Sequence, residues 1–243
     1  MPGSLVELTS TDDVPAPAAK AAAGWFGKLS CLGDFSSRRL PHQFTQLCDD
    51  WLSSGIASSQ EQLGDRWLDV YLTAPLWRFA WAPGVADQHW WLGAMMPSVD
   101  NTGRYFPLVV AKACKLPPTT PAALTQLEDW FDQVASSMLS TLQPDSSIDS
   151  FDAQLMALPN WPEDLDTAVS ATQLSAAREQ FEMPQGMGMN DCLPRMAAAH
   201  YLTLLRGQSL WWAVRDQGPP HALSVAYGLP PAERFVELLE ATW

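Results

Sequence analysis

The stretch Pro97-Ser98-Val99-Asp100-Asn101-Thr102-Gly103-Arg104-Tyr105-Phe106-Pro107 joins two apolar runs, Trp90 to Met96 and Phe106 to Ala113, through a polar turn. Asp and Asn side chains bond their own backbone, and Gly103 can take positive φ without a Cβ clash, so the centre of the stretch predicts a tight reversal. Pro cannot donate to a strand ladder, which sets Pro97 and Pro107 at strand ends, bulges or an edge. Asp100 and Arg104 are then placed to pair across the mouth of the loop.

Working outward, Trp90 to Met96 is apolar at every position, the pattern of a central strand covered on both faces, and Phe106 to Ala111 reads the same way. Upstream, Leu76-Trp77-Arg78-Phe79-Ala80-Trp81-Ala82 alternates, placing Trp77, Phe79 and Trp81 on one face of a sheet. Short connections among these three strands require an antiparallel meander, because a parallel crossover needs a dozen or more residues. Trp25 to Leu29, Ser209 to Arg215 and Leu223 to Tyr227 are further strands, and Leu32-Gly33-Asp34-Phe35 is a turn.

Helical spacing surrounds them. Phe44, Leu47, Cys48, Trp51, Leu52 and Ile56 form one stripe behind Pro41, with Gly55 expected to end or kink the helix. Capping-box spacing at Ser58/Glu61 and Ser59/Gln62 predicts a second helix carrying Leu63, Trp67 and Tyr71 inward. Thr120-Pro121 opens a long amphipathic helix with Leu124, Leu127, Phe131, Val134, Met138 and Leu142 facing the core. Weaker patterns give helices over Phe151 to Leu158, with Asp149 or Ser150 as cap, over Thr172 to Phe181, over Pro194 to Leu205, and after Pro231 with Phe235, Leu238 and Leu239 inward. Pro159 to Pro162 is a turn, and Met183 to Asn190 a loop whose methionines are either core or a soft contact surface.

Apolar strands needing cover on two faces, with several amphipathic helices, define an α/β fold: a three-layer α/β/α sandwich around a mixed, largely antiparallel sheet. Residues 1–22 lack large apolar residues after Leu8 and are expected to form a flexible tail; 23–243 is expected to be a single domain, with a variable helical or loop region at about 143–208.

The 243 residues carry 27 Asp plus Glu against 14 Lys plus Arg, a formal charge of −13, so nucleic acid and anionic membrane surfaces are repelled and a basic or neutral protein is the better partner. The only adjacent basic pair is Arg38-Arg39. Cys31, Cys48, Cys114 and Cys192 show no metal-ligand spacing. No run of about 20 apolar residues marks a membrane span, and no secretory signal opens the chain, so the expectation is a cytoplasmic protein without membrane insertion.

Four strings in the same order, Gly24-Trp25-Phe26-Gly27-Lys28-Leu29, Leu32-Gly33-Asp34-Phe35, Tyr71-Leu72-Thr73-Ala74-Pro75-Leu76-Trp77-Arg78-Phe79 and the Pro97–Pro107 stretch, resemble the TagF family, also called ImpM. The likeness spans about residues 24 to 114 and thins to Ser209-Leu210-Trp211-Trp212 beyond. Two departures stand out: Ser30 occupies a position where the family commonly has Pro, and the Leu5 to Ala23 leader lies outside the match. The resemblance implies the same sandwich architecture. It also implies a non-enzymatic, post-translational repressor of bacterial type VI secretion that acts through the forkhead-associated (Fha) scaffold protein, without a cofactor.

The residues themselves offer little catalytic chemistry. His42, His89, His200 and His221 sit in no hydrolase or metal motif, Ser98 is in no nucleophile elbow, and the glycines at 24, 27 and 33 fit no phosphate-binding pattern. Two alternatives stand beside the regulator: a cryptic hydrolase or transferase using Cys48 or Ser98 with a distant His, and a structural component of the secretion machine. The polar residues that meet the apolar sheet are Asp34, Arg38, Arg39, Arg78, Asp100 and Arg104. They are read either as Asp–Arg clamps or as partner contacts. Of the twelve tryptophans, adjacent strand pairs must face opposite sides, so most belong to the two core layers, and an exposed one would mark an interface.

Overall fold

The computed structural model describes residues 22–159, 161, 171–175, 178–181, 185, 186, 188–214 and 222–243. In chain order, β1 is Gly24–Gly27 and β2 Ser36–Arg38, followed by α1, His42–Leu63, and α2, Trp67–Thr73. The meander comes next: β3 Trp77–Trp81, β4 Trp90–Met96 and β5 Leu108–Cys114. Helices α3, Pro121–Ser140, and α4, Ile148–Met156, precede a small hairpin of β6, Ala171–Ser175, and β7, Arg178–Phe181. The fold ends with α5 Met189–Leu204, β8 Gln208–Ala213, β9 Ser224–Tyr227 and α6 Phe235–Leu239.

Seven strands form one sheet in the order β2-β1-β5-β4-β3-β8-β9, and every adjacent pair is antiparallel. Its centre is buried on both faces, as the unbroken apolar runs require: β4 is buried at each position. Alternation divides the side chains. Trp77, Phe79, Trp81, Trp91 and Trp211 pack under α1, α2 and α6, against Phe44, Cys48, Leu52, Trp67, Tyr71 and Phe235. Ala80, Trp90, Leu92 and Val110 pack under α3 and α4, against Leu127, Trp130, Phe131, Val134 and Phe151. Nine tryptophans are buried, and Trp51, Trp212 and Trp243 are half-buried, so none serves as an exposed anchor.

Several expectations are corrected. Gly55 neither ends nor kinks α1: a Cβ there would lie 2.5 Å from the Phe235 ring, so glycine is required for α6 to dock on the helix. The helix therefore runs through Ser58 and Ser59, and the break falls at Gly64, where a single turn over Gly64–Arg66 leads into α2. Leu124 is exposed and Leu142 lies beyond the end of α3, also exposed, while Trp130 takes the inward position. Ser147, rather than Asp149 or Ser150, caps α4 by accepting from Ser150 N–H at 3.1 Å. The helix expected over Thr172 to Phe181 is two strands, because Ala171↔Phe181 and Thr172↔Gln180 pairing satisfies the backbone and overrides the helical propensity of Ala, Gln and Glu. Helix α5 begins five residues before Pro194. The residues assigned to the tail, apart from Ala22, together with Asn160, Pro162, Met183, Pro184, Met187, Arg215, Gly218 to Pro220 and His221, lie outside the described residues. Among the described residues no helix is long and apolar enough to cross a membrane.

Candidate functional site

The Pro97–Pro107 reversal is a hairpin closed by Gly103 N–H donating to Asp100 O at 3.0 Å and Asp100 N–H to Arg104 O at 3.1 Å, with Gly103 at φ +82°. Its defining group is the Asp100 carboxylate, which is buried and accepts from five donors. Lys28 Nζ reaches Oδ2 at 2.8 Å and Arg104 Nε does the same; Thr102 N–H, Thr102 Oγ1 and Arg104 N–H donate to Oδ1 at 2.9, 2.6 and 3.0 Å. Burial opposes the charged form, but Lys28, Thr102 and Arg104 together outweigh it and hold the carboxyl far below the ordinary Asp range.

Lys28 is itself buried, at the end of β1. Gly27 makes that placement possible: its φ of +134° and the position of Pro107 O, 2.2 Å from a would-be Cβ, leave no room for a side chain where β1 meets β5. Ser98 Oγ donates to Lys28 O at 2.8 Å, and Tyr71 OH donates to Ser98 O while accepting from Ser98 N–H. One network thus links α2, β1 and the hairpin.

On the outer side, Arg104 donates through Nη2 to Gly33 O and stands 3.8 Å from Asp34, while Asn101 N–H donates to Leu32 O at 2.9 Å. These bonds seat the Leu32–Phe35 turn against the hairpin. Phe35 is 44% exposed, stacks on Phe26, meets Phe106 edge-on and lies beneath Lys28 Nζ at 4.9 Å. The Arg104 side chain is half exposed and that of Asp34 nearly fully so. An aromatic ring and a guanidinium, both fixed from below, therefore form a small rim at this end of the sheet.

The remaining sequence candidates fall elsewhere. Arg38 and Arg39 both pair with Asp152 of α4, at 2.8 and 2.6 Å, and Trp25 Nε1 donates to the same carboxylate at 3.1 Å. The Arg39 partner, then burial in opposition, then Arg38 and Trp25 set the Asp152 pKa, and the net effect is well below the usual range. Arg39 adopts φ +61°, and its Nε also donates to Ala23 O at 2.9 Å. Arg78 points to the α3 face, pairing with Glu128 at 2.7 Å and with Asp132, one turn apart, its guanidinium over Phe131. So Asp34, Asp100 and Arg104 come together, whereas Arg38 with Arg39, and Arg78, form two other clamps.

Neither nucleophile considered from the sequence is set up for catalysis. Cys48 is fully buried, and burial first, then Asp49, pushes its thiol far up. Ser98 Oγ is engaged by Lys28 O, and among the described residues no His bonds to either. His89 instead sits 3.2 Å from Asp87. Among the described residues no cluster of His, Cys, Asp and Glu is placed to hold a metal.

Three contributors escaped the sequence reading: Lys28, Phe35 and Asp152. A lysine between Gly27 and Leu29, inside an otherwise apolar strand, was the available signal for the first, since a buried Lys demands a carboxylate. Adjacent arginines similarly required an acid that lay 113 residues away. Ser30 donates to Thr141 O and so fastens the first loop to the end of α3.

The fold and this cluster define a class: an antiparallel α/β/α sandwich whose central hairpin is locked to the first strand by a buried ion pair. The model of the TagF N-terminal domain, described as type VI secretion system-associated, matches residues 24–158, which include β1 through α4 and every residue of the hairpin cluster. The chain belongs to this family and is a type VI secretion-associated protein. It is also similar to PA0076 from Pseudomonas aeruginosa PAO1, known from a crystal structure: 35% identity over 90% of this chain and 94% of that one, with a TM-score of 0.71. No curated protein matches the chain.

Proposed function

We propose that this chain is a cytoplasmic, non-enzymatic negative regulator of type VI secretion that acts after translation by binding the forkhead-associated scaffold protein. The observation that carries the reading is the match to the TagF N-terminal domain over the residues that build the hairpin cluster. The geometry supports it in a second way. The buried charges of Lys28 and Asp100 are consumed within the cluster, and Phe35 and the half-exposed Arg104, which reach the surface, are residue types enriched at protein interfaces. The buried Lys28–Asp100 pair then serves to hold that rim rigid before binding, which lowers the ordering cost of association. The experiment is a pull-down of the forkhead-associated protein by the full chain, repeated with Phe35→Ala, Asp100→Ala and Arg104→Ala variants whose folding is checked by circular dichroism. Capture by the wild type and loss with Phe35→Ala supports the reading; no capture by the wild type overturns it.

A further inference from the structure

The two edges of the seven-stranded sheet are built differently. Edge strand β2 carries Arg38 and is followed by Arg39, both tied to Asp152, so charge guards it against pairing. The opposite edge, β9, reads Ser224-Val225-Ala226-Tyr227 and carries no charge, proline or bulge. Gly228 N–H donates to Gly207 O at 2.7 Å, which fixes the phase of the ladder: Ser224, Ala226 and Gly228 face β8, and the N–H and C=O groups of Val225 and Tyr227 point away from the sheet. Among the described residues nothing bonds to those groups. The side chains beside them are exposed as well, Leu223 at 57%, Val225 at 44% and Tyr227 at 86%. Val225 lies opposite Leu210, which packs with the α3 core, so this apolar row is the uncovered margin of that face.

We propose that β9 is a self-association edge on which a second copy of this chain docks its own β9, antiparallel about a two-fold axis at Ala226, continuing the sheet across the dimer. This register places each Val225 opposite the other copy's Tyr227, and the two exchange both of their outward backbone hydrogen bonds. It also sets a β-branched side chain against an aromatic one on a shared face, a favourable cross-strand pair. A second copy fits better than a charged ligand because the strand offers no counter-charge, while its own uncharged edge brings no like charges into the seam. The charge of −13 on each copy repels over longer range, so added salt strengthens the dimer.

Sedimentation velocity of the full chain over a concentration series, at about 0.05 M and about 0.5 M salt, tests this. The expected result is a mass rising from 26.7 kDa towards twice that value with concentration, and rising further at the higher salt. Val225→Pro removes only an outward N–H and is tolerated on an edge strand, so it returns the chain to monomer. Tyr227→Lys, at the most exposed position of the strand, does the same and keeps the test intact where the proline variant misfolds. A monomer at every concentration and both salts overturns the proposal. So does a dimer that both folded variants preserve, or one that weakens as salt is added.

Discussion

Lys28 Nζ and Asp100 Oδ2, 72 residues apart in the chain, form an ion pair of 2.8 Å whose side chains are 5% and 0% exposed. Removing one partner of a buried pair strands the other, and here the two removals are unequal. Lys28→Met leaves Asp100 with Thr102 and Arg104 as donors, whereas Asp100→Ala leaves a buried ammonium without its carboxylate. Urea unfolding should place Asp100→Ala below Lys28→Met in stability. The double variant should recover part of the loss, as a coupled pair requires.

The same carboxylate sets the acid limit of the fold. Its folded pKa is depressed, so its contribution is fully present above the unfolded value of about 3.9, shrinks as pH falls below that, and vanishes below the folded value. Asp152 acts with the same sign. Thermal melts between neutral pH and acid should therefore show a steep loss in wild type below about pH 4, and a shallower slope in Asp100→Asn, which starts from a lower melting temperature.

Asp152 joins Arg38, Arg39 and the fully buried Trp25 indole. Asp152→Ala leaves that indole N–H unsatisfied at a cost of about 1–3 kcal/mol. Arg38→Ala removes a partly exposed ion pair, worth about 1 kcal/mol or less after solvent screening. Denaturant midpoints of the two variants should therefore differ, with Asp152→Ala the more damaging.

Gly55 tests the packing of α6 on α1. Gly55→Ala raises helix propensity but drives a methyl into the Phe235 ring, an overpacking cost of about 1–3 kcal/mol. Combining it with Phe235→Leu should restore part of that stability. A gain from Gly55→Ala alone would show that α6 stands away from the helix.

The sheet was legible in the sequence where side-chain burial alone decides structure. Two-sided apolar runs at Trp90 and Leu108 and the alternation at Trp77 gave the meander and the assignment of tryptophans to two layers. Thr120-Pro121 likewise gave the start of α3, because capping is local. Gly55 misled because its role depends on Phe235, which is distant in sequence, and 171–181 because strand pairing overrides helical propensity. The candidate site was half legible. Asp100 and Arg104 pair within one turn and could be foreseen, but Lys28 and Asp152 meet their partners only through tertiary structure.

On the proposed function, a rigid Phe35–Arg104 rim, held by the Lys28–Asp100 pair, docks on the forkhead-associated scaffold. Calorimetric titration of that purified scaffold with wild-type chain, Phe35→Ala and Arg104→Ala measures it most directly. Saturable binding by the wild type, weakened about tenfold or more (about 1.4 kcal/mol) by each variant with the fold unchanged, is the predicted result. Absence of wild-type binding, or equal affinities for all three proteins, would contradict it.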